Sequence, residues 1–209
     1  RRVVLRTPEA TCTRASEVLL KTSTFIRNLP SFYHMPWGDQ FVLIQQNWAP
    51  LFVLGMAQEG VDFDLRESPA TSLLKKILLN QSSTAMNELG SSSAGAALAE
   101  VQKMKNLLWK FWDLDISAKE YAYLKGIILF NSEHRVLKCL PYVQSLQQEA
   151  QAALMEFIPT MFRGSLSRFA LILQLITSLQ DMDADAIEEL FFRPFLGGAT
   201  LNVLLIETL

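Results

Sequence analysis

The chain has 209 residues, half of them apolar, with a formal net charge of −2 and a pI near 5.8. That is enough apolar side chain for one substantial core, and the charge balance offers no broad positive field to a nucleic acid. The two cysteines, Cys12 and Cys139, are far apart; they exclude a disulfide framework and a four-ligand zinc site, and they suit a reducing compartment.

The opening RRVVLR is the one dense basic cluster. It is too small for a nucleic-acid site and reads as a solvated chain start. Thr7-Pro8-Glu9 then marks a helix start, with Thr as cap, Pro tolerated at the first position and Glu at the positive end. This helix carries Ala15, Val18, Leu19, Thr22, Phe25, Ile26 and Leu29 on one side and stops at Pro30. A second is expected from near Asp39 to Gly60, bent or divided at Pro50.

VDFDLRE at 61–67 alternates apolar and charged residues, the one strand signal, and predicts at most a small hairpin. SLLKKILLN at 72–80 puts Leu74, Ile77 and Leu78 at i, i+3 and i+4. That face suits the protein's own core or a groove on another protein equally well. The small, polar run QSSTAMNELGSSSAGAA predicts a flexible loop at about 80–97. A helix follows over 98–112, and Ser117-Ala118-Lys119-Glu120 spells a capping box that opens EYAYLKGIILF. Further helices fit 133–157 (broken near Pro141), 165–181, 183–193 and 201–208. The chain therefore reads as all-α and single-domain, with about nine or ten helices.

Enzyme signatures are absent. There is no G-x-S-x-G, G-x-G-x-x-G, P-loop or H-E-x-x-H. The two histidines, His34 and His134, have no second ligand at helical spacing. DMDADAIEE at 181–189 lacks the glycine and final glutamate of a calcium loop and reads as helix-start acids. No enzyme, metal or cofactor is expected. FALILQLITSL at 169–179, interrupted by Gln174, is too short to span a bilayer. Asn80 in NQS fits a glycosylation sequon, which without a secretion signal reads as coincidence. A soluble intracellular protein is expected.

FIRNLPSFYHMPWGDQFVLIQQNW, residues 25–48, resembles the signature of nuclear-receptor ligand-binding domains. Phe25, Arg27, Leu29, Pro30, Phe32, Asp39, Gln40, Leu43, Ile44 and Trp48 all match it. ISAKEYAYLKGIILFN at 116–131 is similar to the family's eighth helix, and SRFALILQLITSLQ at 167–180 to its tenth. RRVVLRTPEATCTRA and ELFFRPFLG narrow the resemblance to the orphan branch without a DNA-binding domain.

The resemblance implies a three-layer antiparallel helical sandwich spanning 1–209, lacking the family's first helix. It implies a nuclear, and also cytoplasmic, transcriptional corepressor that binds other nuclear receptors and recruits corepressor proteins through amphipathic helices. Feedback control of bile-acid and lipid metabolism is the family role. No direct DNA binding and no membrane contact are expected.

Leu74, Ile77 and Leu78 would be an LxxLL-like receptor-binding box. A groove would hold a partner helix between a base, Arg27, and an acid, Glu207, over Phe41, Ile44, Leu204 and Leu205. Gln45 falls where many relatives carry a charge. Residues 165–181 would offer a homodimer stripe. Leu51, Leu54, Tyr121 and Leu124 would line an open apolar face, uncovered for lack of a first helix, where a corepressor helix docks. The alternative is a ligand-regulated receptor that binds a lipid-like molecule.

Overall fold

Helix α1 (Pro8–Arg27) starts where the sequence predicts, with Pro8 and Glu9 in its first turn and Arg27 in its last. Thr7 occupies the cap position but does not cap; its hydroxyl lies 3.4 Å from that of Thr11. A single-turn helix α2 (Pro30–Tyr33), not foreseen in the sequence, carries the buried Phe32. A computed structural model describes residues 1–68, 77–78, 95–133, 136–161 and 165–196.

Helix α3 (Trp37–Glu59) runs through Pro50 without division, so of the two expected effects of that proline, a bend or a break, the break does not occur. Every residue from Asn47 to Ala57 is buried. An interior proline costs a helix about 3 kcal/mol, and packing on all sides outweighs that cost. Gly60 ends the helix as predicted, in the left-handed conformation (φ 65°) with its N–H on Ala57.

The chain start corrects the sequence reading. Arg2–Leu5 forms strand β1, the centre of a three-stranded antiparallel sheet with β2 (Leu65–Glu67) and β3 (Ala96–Ala97) in the order β2-β1-β3. Val3 pairs with Glu67 on one side and Ala96 on the other, and both Val3 and Leu5 are buried. Alternation, not basicity, was the meaningful pattern in RRVVLR. The expected strand at 61–67 is confined to 65–67, and the end of the expected loop at 80–97 is strand β3.

Helix α4 (Leu98–Leu114) ends at Asp115, which adopts a left-handed conformation (φ 49°). Helix α5 (Ala118–Leu129) opens on the predicted capping box: Glu120 N–H donates to Ser117 Oγ at 3.2 Å and Ser117 N–H to Glu120 Oε1 at 2.9 Å. Helix α6 (Leu140–Met161) begins later than the expected 133 and is not broken at Pro141. Proline in the first turn lacks only an N–H that has no intrahelical partner. Helix α7 (Ser165–Gln180) follows, and α8 (Ala184–Phe191) is capped by Asp183, confirming that acid as a helix-start residue. The helix expected at 183–193 is α8, and a turn at Phe192 leads into a short α9 (Arg193–Leu196) that was not expected. The expected helix at 201–208 lies outside the described residues.

Helix α3 packs on α1, α4, α5 and α7, and α6 packs in turn on α5 and α7. At the α1–α3 crossing a Cβ on Gly55 would meet Val18 Cγ1 at 2.7 Å. Gly55→Ala is therefore expected to lower stability by about 1–2 kcal/mol, because overpacking a buried crossing outweighs alanine's helix preference. Urea denaturation measures it, and a variant as stable as the parent would show that the crossing can yield.

Candidate helix-binding groove

The groove expected from the sequence centres on the turn between α1 and α3. Arg27, the last residue of α1, is exposed. Leu20, two turns earlier on the same face, is exposed as well. Sequence reading missed it, though its spacing of seven from Arg27 was a usable signal. The opposite face of α1, with Val18 and Ile26, enters the core.

Two polar residues at the start of α3 hold this corner. Asp39 is buried, and its carboxylate oxygens accept the N–H groups of Lys138 (2.9 Å) and Cys139 (2.8 Å) just ahead of α6. Hydrogen bonds to a charged acceptor are the stronger kind. Gln40 Nε2 donates to Tyr33 O (3.2 Å) and Met35 O (2.9 Å), fixing the α2–α3 turn. The Asp-Gln pair of the signature is thus an anchor, which leaves Phe41 and Gln45 facing outward one turn apart. Tyr33 and Trp37, ahead of them in the chain, are also exposed and also missed.

Ile44 departs from expectation. It is 2% exposed and belongs to the core beside Leu43, because the α3 face that carries Leu43 and Ile44 points toward α3's neighbours. Leu74, Leu204, Leu205 and Glu207 lie outside the described residues. Ile77 and Leu78 are helical and exposed, 49% and 61%. The open apolar face expected at Leu51, Leu54, Tyr121 and Leu124 is not there. All four are buried: α3 is enclosed by α1, α4, α5 and α7, so its leucines face helices rather than solvent.

A buried ion pair stiffens the other end of the domain. Arg168 on α7 grips both oxygens of Glu120, with Nε to Oε2 at 2.9 Å and Nη2 to Oε1 at 2.6 Å. It also donates to the carbonyls of Leu114 and Asp115 at the end of α4. Burial pushes the Glu120 carboxyl up, but the Arg168 guanidinium and the Ser117 N–H outweigh it and hold the group below the usual carboxylate range.

The interior also carries a cluster of rings. Phe52 meets Phe191 and Phe192 with centroids 5.6 and 5.1 Å apart, Phe63 meets Phe191 at 5.1 Å, and Trp48 meets Phe192 at 6.4 Å. Among the described residues no three His, Cys, Asp or Glu side chains gather as metal ligands, and no helix is long and apolar enough to cross a membrane.

Residues 4–195 match the family model described as the ligand-binding domain of nuclear hormone receptor. The chain belongs to that family. Over its whole length it is 41% identical to nuclear receptor subfamily 0 group B member 2 of Rattus norvegicus, covering 81% of that protein. It is 38% identical to nuclear receptor subfamily 0 group B member 1 of Sus scrofa, of which it spans about half, 47%. Both are orphan receptors that lack a DNA-binding domain; the first is small heterodimer partner, the branch to which the sequence pointed. The fold of this nuclear-receptor domain is similar to the Ultraspiracle ligand-binding domain of Drosophila melanogaster, with a TM-score of 0.66 at 21% identity, covering 95% of this chain and 79% of that one.

Proposed function

We propose that this nuclear-receptor domain is a transcriptional repressor, acting in the nucleus, that works by protein contacts rather than by chemistry or a bound ligand. It would dock on other nuclear receptors through the box Leu74, Ile77 and Leu78. Its own groove, with Arg27, Phe41 and Gln45 on one wall and Leu204, Leu205 and Glu207 on the other, would capture amphipathic helices of corepressors. The observation that carries the reading is the ring cluster that Phe52, Phe191 and Phe192 pack into the core, beside apolar side chains left on the outside. A receptor built for a lipid-like molecule needs an apolar cavity of several hundred Å3. Native mass spectrometry with lipid extracts tests this, and a retained lipid would favour the ligand-regulated alternative.

Base and acid would engage the unpaired carbonyls and amides at the two ends of a docked helix. Each charge-assisted hydrogen bond contributes about 1.5–3 kcal/mol. Glu207→Lys is accordingly expected to weaken capture of a helical peptide at least about tenfold, read by fluorescence anisotropy. Unchanged affinity would show that another surface is used.

Self-association through 165–181 fits the same reading. Leu166 is 84% exposed, Leu171 and Leu173 are also open, and an open groove of about 320 Å3 runs between α6 and α7 past Met155 and Phe169. Exposed apolar faces of this kind mark interaction sites.

A further inference from the structure

We propose that the outer face of the small sheet, which carries Arg2, Arg6 and Arg66, docks an acidic segment of a partner protein. Basicity does not make β1 a strand, but alternation gathers its arginines on one side. Val3 and Leu5 enter the core, so Arg2, Val4 and Arg6 share the opposite face. Arg6 stands one residue past the strand and keeps its pairing, with its N–H donating to Asp64 O at 2.9 Å. Arg66 on β2 is directly opposite Val4 and belongs to the same face. All three arginines are exposed, with the half-buried Val4 among them.

Little inside the protein neutralises these charges. Among the described residues, no side-chain hydrogen bond or ion pair engages Arg6 or Arg66. Arg2 Nη1 donates to Gly95 O at 3.3 Å, a neutral acceptor that leaves its charge uncompensated. Glu67 is taken by Arg1, and Asp64, opposite Arg6, forms no ion pair with it. Residues 68–95, between β2 and β3, hold two lysines and one glutamate, so that stretch brings no net negative charge either. Like charges side by side on a sheet face repel one another. In a chain of net charge −2, this face is a local exception that carboxylates from outside would relieve.

The geometry favours a peptide segment. A guanidinium takes a carboxylate through two parallel N–H···O bonds. Residues two apart on a strand are separated by about 6.8 Å, which sets Arg2 and Arg6 roughly 13 Å apart with Arg66 beside the midpoint. An extended segment repeats the same spacing, so acids at alternate positions meet the three arginines in turn. Three guanidinium groups are few for a DNA duplex, whose binding rests on many phosphate contacts. Contacts between exposed charges are weak singly and fall with salt, so the face adds specificity to a larger interface.

The test is an NMR titration of the 15N-labelled chain with the peptide SDSDSDS, beside the neutral SNSNSNS and a DNA duplex. The acidic peptide is expected to shift the Nε–H signals of Arg2, Arg6 and Arg66 and the β1–β2 amides saturably, and the neutral peptide to leave them in place. In the double variant R6Q/R66Q, both at exposed positions, its affinity should fall about tenfold, with the amide spectrum elsewhere unchanged. No saturable shift on this face, or the same affinity in R6Q/R66Q, overturns the proposal. A duplex that shifts these signals at lower concentration than the acidic peptide also overturns it and reassigns the face to phosphates.

Discussion

Arg168→Ala is expected to lower the stability of the domain by about 3–5 kcal/mol, the scale for stranding one partner of a buried ion pair. The Glu120 side chain has no exposed surface and that of Arg168 is 13% exposed, so water cannot replace the lost guanidinium. The variant also loses the donors to Leu114 and Asp115, and with them the hold on the left-handed end of α4.

The pH dependence has a definite sign. Glu120 titrates below its ordinary range in the folded chain, so its contribution is complete above the unfolded carboxylate pKa and is lost as pH falls through the depressed folded value. Without Arg168, the Ser117 capping box is left to oppose burial, so Glu120 takes up a proton at a milder pH than in the parent and the deficit shrinks as the solution is acidified. Denaturant melts of parent and variant at neutral pH and near pH 4 check both points. A loss below about 1 kcal/mol at neutral pH would mean that the pair is no more than a surface contact.

The double variant Leu74→Ala, Leu78→Ala separates the two uses of SLLKKILLN. If the box acts on a partner, two anchors are lost from a foreign groove at about 1.5–3 kcal/mol each. Receptor binding should then fall at least a hundredfold, or about 2.7 kcal/mol, with folding stability nearly unchanged. Leu78 is more than half exposed, so its truncation removes little from the core. A loss of about 2–5 kcal/mol per leucine in folding stability, the cost of a core cavity, would assign the segment to the domain's own packing. Surface plasmon resonance against a receptor domain and a urea melt of the same preparations give the two numbers side by side.

Helix positions were legible because their signals are local. The capping box at Ser117–Glu120, the proline and acid at the start of α1, the acid that caps α8 and the glycine that closes α3 each act within one turn of chain, and each stands where its spacing placed it, even though Thr7 does not cap. The family signature was legible for the same reason, as a fixed string from Phe25 to Trp48. Some residues needed neighbours distant in sequence to explain them. Arg2–Leu5 became a central strand because residues 65–67 and 96–97 came to lie on either side. Pro50 stayed inside a helix because its surroundings enclose it.

The candidate site divides along the same line. Arg27, Phe41 and Gln45 were assigned to the groove by the family resemblance. That Ile44 turns into the core, that Leu51, Leu54, Tyr121 and Leu124 are enclosed, and that Trp37 is left in the open were not. Periodicity tells which side chains share a face of a helix, but burial is a relation between helices. By itself the sequence determined a mostly helical domain of this family and the local start and stop signals. Which apolar faces α3 hides between its neighbours and which it offers to a partner was decided only when α1, α4, α5 and α7 closed around it, because the free energy of burying a side chain depends on what stands opposite.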